Sequence, residues 1–153
     1  MPVRDGAYFD RVARELVRGL RGRRSQRALS RRLGYSTNVI YTWEAGTAAP
    51  TAARLFQMAQ ATGVQPNQVL ARFFRVVPQR LRDAHLAEAD GVRALMGELL
   101  GQTRITSLSA ASGLSRFAIS RWLSGKGQPK LPEFLQFVEH ASLRMLDLID
   151  TLI

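Results

Sequence analysis

The stretch that decides the fold runs from Ser25 to Pro50, SQRALSRRLGYSTNVIYTWEAGTAAP. Ala28, Leu29 and Leu33 fall on one side of a short helix, Gln26 to Leu33, which Ser25 is placed to cap and Gly34 to close. Gly34-Tyr35-Ser36 makes a tight turn. Ser36 then caps a further helix, Thr37 to Ala45, whose inward residues Val39, Ile40 and Trp43 keep the helical period until Gly46 stops it. Upstream, Tyr8 to Arg21 carries Phe9, Val12, Leu16, Val17 and Leu20 at amphipathic spacing, and Gly22 ends it. Downstream, Pro50 and Thr51 open a fourth helix to about Thr62 through Leu55, Phe56 and Ala59, and Gly63 breaks it. A fifth, Asn67 to Arg75, presents Val69, Leu70, Phe73 and Phe74 before Val77-Pro78 marks an exit.

The same stretch recurs 79 residues later as RITSLSAASGLSRFAISRWLSGKGQP, Arg104 to Pro129. Shared residues include Leu16/Leu95, Leu20/Leu99, Gly22/Gly101, Leu29/Leu108, Ser30/Ser109, Gly34/Gly113, Ser36/Ser115, Ile40/Ile119, Trp43/Trp122, Gly46/Gly125 and Pro50/Pro129. These are mostly core, cap and turn positions, which a duplicated fold keeps while its surface drifts. Helices are predicted over 92–100, 107–112, 116–124, 132–141 and 144–152. The expected architecture is all-α, two tandem five-helix domains over 7–78 and 91–153 with a short linker at 79–90.

Composition narrows the function. A chain of 153 residues, 46% hydrophobic, can bury one mid-sized core or two small helical ones of roughly 60 to 70 residues each, and the repeat favours two. There is no cysteine, hence no disulfide and no thiolate metal site. His85 and His140 stand far apart with no acidic cluster beside either, so neither reads as a metal ligand or catalytic base. No enzyme motif, cofactor motif, signal peptide or membrane-length apolar run is visible, and a cytoplasmic non-enzyme is expected. Lys126 and Lys130 are the only lysines among 22 basic residues, a bias attributed to a GC-rich bacterial genome. Residues 1–82 hold 15 arginines and 4 acids, whereas residues 83–153 hold 7 basic and 8 acidic residues. The whole positive excess therefore sits on the first half, where it attracts polyanions.

The pattern Ser25-Gln26-x-x-Leu29-Ser30-x-x-Leu33-Gly34-Tyr35-Ser36-x-x-Val39-Ile40-x-x-Trp43-Glu44-x-Gly46-x-x-x-Pro50 resembles the Cro/repressor (XRE) helix-turn-helix family. The resemblance implies a lambda-repressor-like five-helix domain whose third helix enters the DNA major groove while the second crosses the backbone. Ser25 and Gln26 open the second helix, where the family's glutamine touches phosphate. The base-reading positions fall on Thr37, Asn38, Tyr41 and Thr42 behind the Ser36 cap; Asn38 suits a bidentate pair with adenine. Arg27 and Arg31, on one side of the second helix, suit the flanking phosphates, with Arg23, Arg24 and Arg32 nearby. Trp43 reads as a core anchor rather than a base-stacking residue. Family members often pair an arginine late in the first helix with the glutamate near the end of the third. Arg21 and Glu44 fit, and both become leucine in the second copy, Leu100 and Leu123. An ion pair exchanged as a unit predicts that Arg21 touches Glu44 and that Leu100 touches Leu123.

In the second copy Gln26, Arg27, Arg31 and Arg32 become Ile105, Thr106, Ala110 and Ala111. Arg116 and Arg121 nevertheless stand where Thr37 and Thr42 stand, Phe117 lies beside them behind the Ser115 cap, and Lys126 and Lys130 follow. The expected function is sequence-specific double-stranded DNA binding by a bacterial transcriptional regulator, with helices 37–45 and 116–124 as readers and the second copy the weaker. A protein-interaction or antitoxin-like module, with only the first domain on DNA, is the alternative. RNA binding fits less well, because the aromatics mostly take core positions. Expected partners are DNA, then a second copy of the chain or a protein docking on the second domain or the C-terminal helix. The apolar ending RMLDLIDTLI either completes the second core or leads into a further domain.

Overall fold

The computed structural model describes residues 6–65, 68, 69 and 85–152, with side chains described as far as Ala141. The described residues are all-α: α1 Gly6–Arg21, α2 Gln26–Arg32, α3 Val39–Ala45, α4 Ala52–Ala61, α5 Ala89–Leu100, α6 Ile105–Ser112, α7 Arg116–Leu123 and α8 Leu131–Leu152. The expected helix at 67–75, apart from Gln68 and the buried Val69, the exit at Val77-Pro78 and residues 79–84 of the expected 79–90 connection lie outside them.

Helix α1 shows why the pattern folds as it does. Phe9, Ala13, Leu16, Val17 and Leu20 recur on one face and are buried, while the arginines between them stay in water. That face lies against α3 and, across the repeat boundary, along α8. Helix α4 likewise meets α5 and α8 of the other half. Phe56 of α4 and Phe134 of α8 pack edge to face, ring centroids 6.0 Å apart, both fully buried. The buried apolar side chains of both halves, from Phe9 to Ala141, form one contiguous cluster in place of the two small cores the repeat favours, because α1 and α4 turn apolar faces to the other half.

Helix α5 starts at Ala89, inside the expected connection, rather than at Val92, and α6 at Ile105 rather than Ser107; two further elements differ more deeply from the sequence expectation. Helices expected separately at 132–141 and 144–152 are a single helix, α8. The first copy stops its fourth helix at Gly63, which has a φ of 76° and returns hydrogen bonds from Gly63 N to the Gln60 carbonyl and from Val64 N to the Ala59 carbonyl. The position 79 residues on is Ser142, which has no such freedom, and the helix runs through it. The second difference is in α3. It begins at Val39 rather than Thr37, and Asn38, not Ser36, caps it.

Candidate nucleic-acid interface

Helices α2 and α3 are held together by Ser30, a fully buried polar residue. Its hydroxyl proton is shared between the Gln26 carbonyl at 2.8 Å and Asn38 Oδ1 at 3.3 Å, and its oxygen accepts from Ile40 N at 3.2 Å. Asn38 Oδ1 also accepts from Tyr41 N at 3.4 Å. With φ −79°, ψ 70° and a Val39 N to Thr37 carbonyl bond of 2.9 Å, Asn38 sits at the centre of an inverse γ-turn. Ser36 and Thr37 therefore precede α3 as an exposed bend instead of forming its first turn. The second copy keeps that turn. Ser115 Oγ accepts from Phe117 N at 3.2 Å and Ala118 N at 3.5 Å, so α7 starts at Arg116 as expected. Ser109, the counterpart of Ser30, instead donates to the Leu114 carbonyl.

Ser25 caps α2, accepting from Ala28 N at 3.3 Å. Arg23, Arg24, Arg27, Arg31 and Arg32 are all exposed. Arg27 and Arg31 line, with Ser36, Thr37 and Asn38, a cleft of about 230 Å³ between α2 and the start of α3. Tyr41 is 61% exposed; Thr42 is half-buried, its carbonyl accepting from the Thr47 hydroxyl. Trp43 is buried, as the core reading expects, and Tyr35 packs edge to face on it at 5.7 Å while Arg54 lies over the other ring and hydrogen-bonds the Tyr35 hydroxyl. In the second half Ser115, Arg116, Phe117, Arg121 and Lys126 are exposed, Phe117 by 70%, and the Arg116 guanidinium stacks over the Phe117 ring at 5.0 Å.

Arg21 and Glu44 touch. The guanidinium donates in a fork, Nε to Oε2 at 2.7 Å and Nη2 to Oε1 at 2.9 Å. Gln26 Nε2 adds a donor at 3.1 Å and Arg18 Nε lies at 3.5 Å. Burial of Glu44 opposes its ionisation, but the bonds from Arg21, Gln26 and Arg18 outweigh burial and hold the carboxyl below its ordinary value; the bond to Glu44 raises Arg21. The glutamine expected on phosphate thus also serves this internal network. At the equivalent positions Leu100 and Leu123 are half-buried and pack on the common core.

Two features escaped the sequence reading. Ser30 was legible as a shared serine but not as the clasp between α2 and α3. Arg14 and Arg93, identical across the repeat, lie against Gly46 and Gly125, and their recurrence was the available signal. Among the described residues no cluster of His, Asp or Glu is placed to hold a metal, and no helix is long and apolar enough to cross a membrane.

A short helix, a glycine turn and a second helix anchored by a buried tryptophan define a helix-turn-helix unit. Residues 18–69 match the model of a family described as Helix-turn-helix, a family of DNA-binding domains. The match runs from the end of α1 through α4 to Val69, and it supports DNA binding by that segment. No curated protein and no solved structure matches the chain.

Proposed function

We propose that the chain is a bacterial transcriptional regulator that binds double-stranded DNA in a sequence-specific way, with α3 and the bend before it, and α7, in major grooves. In this reading residues 7–78 form the principal DNA-binding unit, 79–90 connect, and 91–153 form a divergent second unit. The observation that carries it is the cleft where Arg27 and Arg31 flank Ser36, Thr37 and Asn38, within the segment that matches the helix-turn-helix family. Cations on α2 neutralise phosphates, supplying affinity that falls with salt, while the uncharged polar groups beside them address base edges. Gel shifts with random duplex, single-stranded DNA and RNA across a salt series test it. Duplex is expected to bind tightest, and Arg31→Ala to weaken every duplex and reduce the salt slope by about 1. Equal binding of all three nucleic acids would refute it.

A second reading, in which only the first half touches DNA, draws on α6, whose exposed Thr106, Ala110 and Ala111 replace the arginines of α2. Unchanged sequence preference after joint replacement of Arg116 and Arg121 by alanine would favour it.

A further inference from the structure

The two halves meet by reciprocal contacts. Ala52 N donates to the Pro129 carbonyl at 3.0 Å, and Leu131 N donates to the Pro50 carbonyl at 2.8 Å. Shifting either bond by the 79-residue repeat yields the other, so each half offers the same groups to its neighbour. Such an isologous contact is the mark of a two-fold axis. It passes by the antiparallel bridge of Thr51 and Lys130, themselves equivalent positions.

The surroundings obey the same operation. One cleft, about 380 Å³, lies between Arg14, Trp43 and Gly46 of the first half and Lys130 of the second; another, about 390 Å³, lies between Arg93, Trp122 and Gly125 of the second and Thr51 of the first. A Cβ on Gly46 would stand 3.1 Å from Arg14 Nη1, and one on Gly125 2.9 Å from Arg93 Nη1. The glycines that end α3 and α7 are thus covered by equivalent arginines. The symmetry stops at the entries and outer faces of those helices, α3 starting at Val39 behind Asn38 and α7 at Arg116 behind Ser115. Thr37, Asn38, Tyr41 and Thr42 on one side answer to Arg116, Phe117, Ser120 and Arg121 on the other.

We infer that one chain reads one bipartite duplex site with a pseudo-dyad and two half-sites of different sequence; this rests on the DNA-binding function proposed above. The backbone pairing that a homodimer would make between two chains is made within one. Unlike faces carried on a common axis match unlike DNA sequences. The second half-site contains guanine, the base that arginine pairs with bidentately, and a thymine whose methyl meets the exposed Phe117 ring.

The test selects bound fragments from a randomised duplex pool with the full chain and weighs the complexes by native mass spectrometry. A second selection uses the variant Arg116→Thr, Phe117→Asn, Ser120→Tyr, Arg121→Thr, which removes both arginines and the exposed ring from α7 by putting there the residues of the first half at four exposed positions, and leaves buried Ile119 and Trp122 in place. Circular dichroism and thermal melting verify its fold. One chain per duplex and two unlike blocks are expected for the natural chain. The variant is expected to lose the second block from its selected site and to bind the original site at least about tenfold more weakly, the worth of one good arginine contact. Two chains per duplex, a single enriched block, or the same site for both proteins would overturn the inference and leave DNA binding standing. No enriched duplex at all would remove the proposed function, and this inference with it.

Discussion

Replacing Arg21 by leucine removes the forked partner of Glu44 and leaves a carboxylate whose side chain is 6% exposed with Gln26 and a longer contact from Arg18. Breaking a buried ion pair from one side costs about 3 to 5 kcal/mol. Because Arg21 is itself 23% exposed, screening and the surviving donors reduce the expected loss to about 2 to 3 kcal/mol. Glu44→Leu is milder, about 1 to 2 kcal/mol, because the freed guanidinium can turn to water. The double replacement reproduces the leucines of the second copy, and its cost should fall short of the sum by about 1 to 3 kcal/mol. Urea unfolding of the four proteins measures this directly. Acid adds a second reading of the same pair. The folded carboxyl titrates below its ordinary value of 4.5, so its contribution is present above that pH and is lost as pH falls from there through the lower folded value. The advantage of the natural chain over the double leucine variant should shrink across that window. Additive single costs, or an advantage that stays constant in acid, would refute the reasoning.

Asn38→Ser keeps a side-chain cap on α3 but removes the carboxamide; stability should change by less than about 1 kcal/mol while preference at one base position relaxes in a binding-site selection. Equal loss on specific and random duplex would count against Asn38 as a reader. Phe134→Ala should cost about 3 to 5 kcal/mol and lower the denaturation midpoint of the first half together with the second, because Phe134 packs on Phe56 inside one core. Calorimetry showing two separate transitions, with the first half unmoved, would refute that coupling.

The parts that the sequence made legible are those written in side chains of fixed period or in paired exchanges. Leu29, Ile40 and Trp43 announce their burial by spacing, Ser25 its cap by position, and Arg21 its partner through the resemblance to the Cro/repressor family, supported by the joint change of both residues in the second copy. The late start of α3 was not legible. Ser36 and Asn38 are both good caps, and the choice between them falls to Ser30 on α2, a contact across elements that local pattern does not contain. Gln26 was ambiguous for a similar reason, since its amide suits a phosphate as well as Glu44. The continuity of α8 was written at Ser142, where the stop glycine is missing, although the periodicity on either side suggested two helices. The pairing of Pro50 with Leu131 and of Pro129 with Ala52 left no trace, because it is made by backbone groups that every residue carries. The repeat suggested two separate cores and gave no sign that the apolar faces of α1 and α4 are shared with the opposite half.

On the proposed reading of one chain per duplex site, that backbone pairing also sets how DNA occupancy follows the amount of protein. Partners joined by a non-covalent two-fold contact separate on dilution, so their DNA occupancy falls with roughly the square of the protomer concentration once they dissociate. Here the two sides of the contact belong to one polypeptide and meet at an effective concentration set by the connecting chain. A few molecules present the paired surface as completely as many do, and under the proposed reading of one chain per site occupancy rises from zero in direct proportion to the amount of protein.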